Sequence, residues 1–234
     1  DGASIAVSGD GTRLAVASPG AFIGAYDVGQ VHIYEIGVGQ IGVEIPGLDG
    51  NDLFGSAVAL SNDGTIVAVG ALTGSSRAGY VRIFRQKGAN WIQVGQTIEG
   101  RQSGDNLGKS ISISADGKTV AIGAYQADAA LGAGYVQVYQ LVGTTWTQIG
   151  AYIVGLSDGD RFGFSVALTP DASFLTIGAN ANDSDGFTNN VLVQTYENQN
   201  GNWTQIGGDI TGNADSRNLG VGVAISYNGR TVAS

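Results

Sequence analysis

Three acidic residues stand at equivalent places in this chain: Asp52, Asp105 and Asp160, each three residues ahead of a glycine. Arg217 holds the fourth such place, and Asp49, Asp158 and Asp215 add charge nearby. Carboxylates brought together from successive units of a repeat could hold a cation, since calcium takes six to eight oxygen ligands from carboxylates and carbonyls. The same spacing suits a plainer role, in which each Asp accepts backbone N–H groups and caps its own turn. A feature that returns unit after unit is what a structural cap requires. Capping is therefore the preferred reading, with Asp52, Asp105 and Asp160 kept as metal candidates.

Trp91, Trp146 and Trp203 recur in the same way, as do Tyr34, Phe84, Tyr139 and Tyr196. Aromatic rings at this spacing could stack on sugars, but one ring per unit is more often a packing anchor between units. His32 is the single histidine and cysteine is absent. No serine–histidine relay and no zinc set can be assembled from these residues. Carboxylates are plentiful, yet no pair has the setting of a glycosidase, and the glycine-rich stretches are turns rather than phosphate loops. No catalytic residue and no cofactor are expected. Two acceptor sequons, Asn182-Asp-Ser184 and Asn202-Trp-Thr204, are candidate glycosylation sites if the chain is secreted by a eukaryote.

Positioning such residues falls to a repeated element. Each unit opens on a glycine followed by small and aliphatic residues in alternation: Gly2-Ala-Ser-Ile-Ala-Val, Gly55-Ser-Ala-Val-Ala-Leu, Gly108-Lys-Ser-Ile-Ser-Ile, Gly163-Phe-Ser-Val-Ala-Leu and Gly220-Val-Gly-Val-Ala-Ile, at intervals of 53 to 57 residues. Period-two alternation predicts a strand. Asp10-Gly11, Asp63-Gly64, Asp116-Gly117 and Asn228-Gly229 follow, and predict two-residue type I′ hairpin turns. Asp171-Ala172 in the fourth unit predicts a different turn. A second, almost continuously apolar strand comes next, as in Ile66-Val-Ala-Val-Gly, and reads as covered on both faces. After a variable loop comes a third, alternating strand such as Val81-Arg-Ile-Phe, then a fourth marked by Trp91-Ile-Gln-Val-Gly and its counterparts. His32 alternates with Val31 and Ile33, at the place of Arg82, Gln137 and Gln194, and is expected to be solvated or between units.

Four short antiparallel strands per unit of about fifty residues predict the blades of an all-β propeller, because a blade has two apolar faces that only radial stacking can bury. The units run approximately 1–52, 53–106, 107–161 and 162–218, with a partial unit at 219–234, so about four and a half repeats form one domain. The chain starts on a first strand and ends on a second strand, which is expected of part of a larger ring, for example a seven-bladed one. The 234 residues carry a net charge of −9, and 43% are hydrophobic, enough for a sizeable core. An acidic surface argues against nucleic acid, and no apolar run is long enough for a membrane helix. Thirty-nine glycines and three prolines fit a chain of many tight turns.

Phe54-Gly55 and Phe162-Gly163, together with Val69-Gly70-Ala71, Ile122-Gly123-Ala124 and Ile177-Gly178-Ala179, resemble the FG-GAP repeat, and the resemblance runs over essentially the whole chain. That repeat builds the seven-bladed propeller of integrin α subunits and related cell-surface proteins. The chain is also similar to repeat-rich secreted or surface proteins of marine microbes and algae, in which blades of the Trp-x-Gln-x-Gly type recur. FG-GAP units often place a calcium loop between the first two strands. Here Ser61-Asn62-Asp63-Gly64-Thr65 offers one or two oxygen donors, so calcium is not carried over to these turns. The resemblance implies a non-enzymatic extracellular or cell-surface propeller for adhesion, protein interaction or assembly. A protein or glycan partner would bind through the loop face, and further copies or the rest of the chain would pack against the blades. A carbohydrate-binding propeller is the alternative, and a glycan hydrolase the third reading.

Overall fold

A computed structural model describes residues 4–23, 26–73, 78–126, 132–180, 192–212 and 219–234. Every regular element among these residues is a strand. The second unit shows the pattern most fully. Its strands Phe54–Leu60, Ile66–Ala71, Tyr80–Lys87 and Asn90–Gln93 lie in that order in one antiparallel sheet. The third unit repeats it with Leu107–Ile113, Thr119–Ala124, Tyr135–Val142 and Thr145–Gln148, and the fourth with Phe162–Leu168, Phe174–Ala179, Leu192–Gln199 and Asn202–Thr211. The first unit uses Ser4–Val7, Arg13–Ser18, Gln30–Glu35 and Gly39–Gln40, and its variable loop adds a small hairpin, Phe22–Ile23 with Tyr26–Asp27. The fifth contributes a two-stranded hairpin, Ala224–Ile225 with Val232–Ala233. This is a partial β-propeller.

The first strands of successive blades touch one another and so lie innermost. Ile66–Ala71 and Thr119–Ala124 are buried at every residue, as expected of strands covered on both faces. Two glycine pairs explain the repeat. Gly55, Gly108 and Gly163 have φ of 97°, 93° and 86°, in the left-handed region that favours glycine, and sit where the register of the first strand shifts. Across the blade boundary, a Cβ on Gly70 would come 2.2 Å from the Gly108 carbonyl oxygen, and one on Gly123 would come 2.0 Å from that of Gly163. The glycines of the two half-motifs are thus facing halves of one backbone contact between neighbouring blades.

Two expectations need correction. The turns after the first strands are not type I′, since of Asp63 and Gly64 only the glycine has positive φ, at 63°. Gly64 N–H closes onto the Ser61 carbonyl at 3.0 Å, a four-residue turn with glycine in its last place, as in type I. Asp63 Oδ1 accepts from Ser61 Oγ at 2.7 Å and from Thr65 N–H at 3.0 Å, and Ser61 Oγ accepts from Ile66 N–H at 3.0 Å. The second correction is that the fourth unit builds this same turn: Ala172 takes φ of 58°, its N–H reaches the Thr169 carbonyl at 2.9 Å, and its methyl packs into the core of that blade. The fourth strand also differs in detail. In the first three blades it breaks after the Trp-x-Gln-x-Gly segment or its counterpart, and a second piece, Ile45–Pro46, Ile98–Glu99 or Ile153–Val154, pairs with the start of the third strand.

Ile5 and Val7 of the first blade are 66% and 55% exposed, whereas Val58 and Leu60, their counterparts in the second, are 7% and 9% exposed. The difference is the neighbouring blade, which covers the second pair and not the first.

Candidate functional site

Strand direction puts the connectors between blades and the variable loops at one end of the sheets. The connector before the second blade lies between two variable loops: Asn51 N–H donates to the Asp27 carbonyl at 2.6 Å, and Thr73 N–H to the Asp52 carbonyl at 3.4 Å. At its centre Asp52, 1% exposed, accepts through Oδ2 from Leu48 N–H at 3.1 Å, Asp49 N–H at 2.8 Å and the Tyr80 hydroxyl at 2.6 Å. Asp105 repeats this with Arg101 N–H at 2.9 Å, Gln102 N–H at 3.2 Å and the Tyr135 hydroxyl at 2.6 Å. Its other oxygen accepts from Gln126 Nε2 at 3.1 Å. Asp160 Oδ2 accepts from Ser157 N–H at 2.8 Å, and Leu192 stands where the other blades carry tyrosine. Each carboxylate caps its own connector through Oδ2, and Asp52 Oδ1 is buried with no hydrogen-bond partner among the described residues. Among the described residues no three His, Asp or Glu side chains gather as a metal set.

The tyrosine partners were missed in the sequence, although Ala78-Gly79-Tyr80 and Ala133-Gly134-Tyr135 are a repeated signal. Burial, then the hydrogen bond to the neighbouring carboxylate, pushes the Tyr80 and Tyr135 phenols far above their ordinary range. The Arg101 guanidinium lies 3.9 Å from the Tyr135 ring centroid and 5.0 Å from that of Tyr152, and pairs with Asp105 at 3.6 Å.

A second cluster lies at the loop end of the inner strands. Lys109 and Phe164 each directly follow the bulge glycine of their blade. Lys109 Nζ is 4.7 Å from the Phe164 ring centroid and 5.8 Å from that of Tyr125, and the two rings meet edge-on at 5.6 Å. Lys109 makes no ion pair among the described residues. All three side chains are half-buried. A lysine held over two rings keeps its charge available to an incoming acceptor.

The tryptophans sit at the outer strands, between blades. A Cβ on Gly42, Gly95 or Gly150 would lie 3.0, 2.6 or 3.1 Å from the indole of Trp91, Trp146 or Trp203 on the next blade. Each indole therefore packs over the glycine that ends the Trp-x-Gln-x-Gly segment or its counterpart. Trp146 Nε1 donates to the Val94 carbonyl at 2.8 Å and Trp91 Nε1 to that of Ile41 at 3.4 Å. Trp203 Nε1 is buried with no partner among the described residues, and this residue lines a groove of about 300 Å³ with Ala151, Tyr152 and Tyr196.

The remaining candidates are dispersed. Phe84 and Tyr196 are buried, Tyr34 and Tyr139 half-buried. Burial and the nearby Tyr152 push Tyr139 up to about 12, while burial and the Asp209 charge push Tyr196 up to about 12. His32 is half-buried, with Nδ1 enclosed and unpaired among the described residues. Its counterparts Gln137 and Gln194 are 1% and 4% exposed, so these polar places are interior rather than solvated. Asp49 and Asp158 are exposed, as is Asn202. The Asn182 sequon, Asp215 and Arg217 lie outside the described residues.

No protein-family profile matches the chain, and no curated protein is similar to it in sequence. Solved structures do match. Hydrazine synthase from Kuenenia stuttgartiensis aligns with a TM-score of 0.63 at 16% identity over 98% of this chain and 60% of its own. A 6-phosphogluconolactonase-like protein from Bacteroides uniformis gives 0.59 at 15% identity over 89% and 54%. TolB from Acinetobacter baumannii gives 0.53 at 12% identity over 91% and 43%. The chain thus spans about half the length of these proteins, and at such identities the likeness is one of fold: this chain is built as a β-propeller.

Proposed function

We propose that the chain belongs to an FG-GAP-like propeller that works outside the cell or at its surface, without catalysis, by binding a protein partner through its loop face. The observation that carries this reading is the Lys109, Phe164 and Tyr125 cluster. It offers an unpaired ammonium and two rings beside the irregular loops, on a protein of net charge −9. A partner presenting a carboxylate next to an apolar group fits such a place. The reading assigns no catalytic residue; in Asp52 and Asp105 the Oδ2 oxygen is taken by backbone and tyrosine donors. It assigns no cofactor either.

The test is adhesion of beads coated with the purified chain to a panel of extracellular matrix proteins, compared with beads carrying Lys109→Glu and Phe164→Ala variants of unchanged circular dichroism. Loss of most adhesion in both variants supports the reading. Turnover of chromogenic esters or glycosides by the wild-type chain would overturn its non-enzymatic part. A carbohydrate-binding propeller is the second reading, favoured by the three aromatic side chains Tyr152, Tyr196 and Trp203 around the groove at the third blade boundary. A glycan array separates the two.

A further inference from the structure

At the second and third blade boundaries the residue after the glycine of the Trp-x-Gln-x-Gly segment differs, Gln96 in one and Ala151 in the other, and it decides whether a side chain or open space faces the tryptophan. At the second boundary Gln96 clamps the edge of the third blade. Its Oε1 accepts from Trp146 N–H at 3.0 Å and its Nε2 donates to the Trp146 carbonyl at 2.6 Å. These backbone groups point away from the hairpin because Trp146, opposite Leu141, is one residue beyond the turn-closing pair Val142 and Thr145. One unit further on, Trp203 stands opposite Asn198 and one residue beyond the pair Gln199 and Asn202. Its N–H and carbonyl therefore occupy the same outward place. The residue in register with Gln96 is now Ala151, the same distance after the glycine of its Trp-x-Gln-x-Gly segment. A methyl group cannot replace either hydrogen bond. What remains is the groove of about 300 Å³; beside it the Trp203 indole N–H, whose counterpart on Trp146 bonds the Val94 carbonyl, is buried without an acceptor among the described residues. Such a group costs free energy until something pairs with it.

We propose that this groove binds the carboxamide of a glutamine side chain on a partner polypeptide. The molecule holds the precedent: at the preceding boundary the same edge is satisfied by a glutamine carried on a chain segment, Val94-Gly95-Gln96-Thr97. A carboxamide offers both the acceptor and the donor that the Trp203 backbone edge needs. The Tyr152 and Tyr196 side chains beside it accept the methylenes of the glutamine stem. The first boundary has Val43 at this place and its indole already bonded to Ile41, so the proposal concerns the third boundary alone. It does not rest on the reading of the loop face.

The probe is the acetylated, amidated peptide Val-Gly-Gln-Thr-Ile, with Glu and Ala versions at its glutamine. The readout is the three indole N–H resonances of the intact chain, assigned with Trp203→Phe. The glutamine peptide is expected to move the Trp203 resonance at roughly millimolar concentration, the range one clamped side chain supports, and to leave Trp91 and Trp146 in place. The Glu and Ala peptides should bind about tenfold more weakly, as loss of one or two hydrogen bonds implies. Ala151→Gln should abolish the response by closing the groove from within. Ala151→Val, which copies the first boundary, should do so too, and keeps the test decisive if the glutamine variant misfolds. Equal response to all three peptides, no response, or persistence in both variants would overturn the site. Tighter binding of N-acetylglucosamine than of the glutamine peptide would overturn its assignment to a polypeptide.

Discussion

The Tyr80 hydroxyl donates to the Asp52 carboxylate at 2.6 Å, joining the start of a third strand to the connector that leads into the same blade. Tyr135 and Asp105 repeat the bond at 2.6 Å. Both carboxylates are essentially inaccessible, so the phenol replaces a hydrogen bond that water would otherwise supply. Tyr80→Phe and Tyr135→Phe are each expected to cost about 2 kcal/mol, the scale of a hydrogen bond to a buried charge. Urea denaturation, comparing midpoints at unchanged slope, measures it. A loss no larger than that of an exposed substitution would show that the phenol is dispensable to the cap.

The same pairs determine the response to alkali. Tyr80 and Tyr135 are pushed far above the ordinary phenol range by burial and by the adjacent carboxylate, and Tyr139 and Tyr196 rise to about 12. A free tyrosine ionises near pH ~10. Above that value the unfolded chain loses protons that the folded chain retains, so stability is whole below pH ~10 and declines as pH rises toward the folded values. Phenolate absorbance should show these four tyrosines ionising only as the circular dichroism of the fold is lost. Smooth titration of all nine in the folded protein would contradict this.

Backbone contact between blades makes a steric prediction. Gly70→Ala and Gly123→Ala place a methyl group about as far from a facing carbonyl oxygen as a covalently bonded next-neighbour atom, at 2.2 and 2.0 Å. Each should cost about 3 kcal/mol, at the upper end for overpacking, because backbone stands on the other side and cannot rotate away. Gly208→Ala meets nothing within 4 Å among the described residues and serves as the control, with a change within about 0.5 kcal/mol. Thermal melts of the three variants suffice.

Removing the clamp at the second boundary should reproduce the third. Gln96→Ala deletes the bonds to the Trp146 N–H and carbonyl, at 3.0 and 2.6 Å, for a loss of about 2 kcal/mol. The Trp146 indole resonance should then become sensitive to the glutamine peptide, as Trp203 is expected to be in the wild type.

The turns between the first and second strands are expected to need no metal. Asp63 Oδ1 is occupied by Ser61 and Thr65; burial opposes its charge, but these donors together hold the carboxyl below its usual range. Chelation should leave the melting temperature unchanged. Acid should not: a depressed carboxyl lends stability above its unfolded value and loses it as pH falls through the lower folded one. Asp63→Asn should therefore flatten the fall of stability with acid below pH ~4.

Much of the architecture could be read from the residues alone. Alternation in Gly55-Ser-Ala-Val-Ala-Leu, the apolar run Ile66–Ala71 and the returning tryptophan specify strands, their order and their need for neighbours, because period and polarity are local properties of a chain. Contacts that reach from one blade into the next were legible only in part. Gly70, read as part of the strand Ile66-Val-Ala-Val-Gly, shows no reason to be glycine until Gly108 is found against it. The turn at Asp63-Gly64 looks like a two-residue hairpin until Ser61 and Thr65 close on the carboxylate. Asp52 announced a cap, but Tyr80, 28 residues away, entered it only when the sheet folded. Ala151 carries no signal in sequence, since an alanine is a site only when its absent side chain leaves another blade's backbone uncovered. Repetition within one strand is written in the order of residues, whereas complementarity between blades exists only after the chain has folded back beside itself.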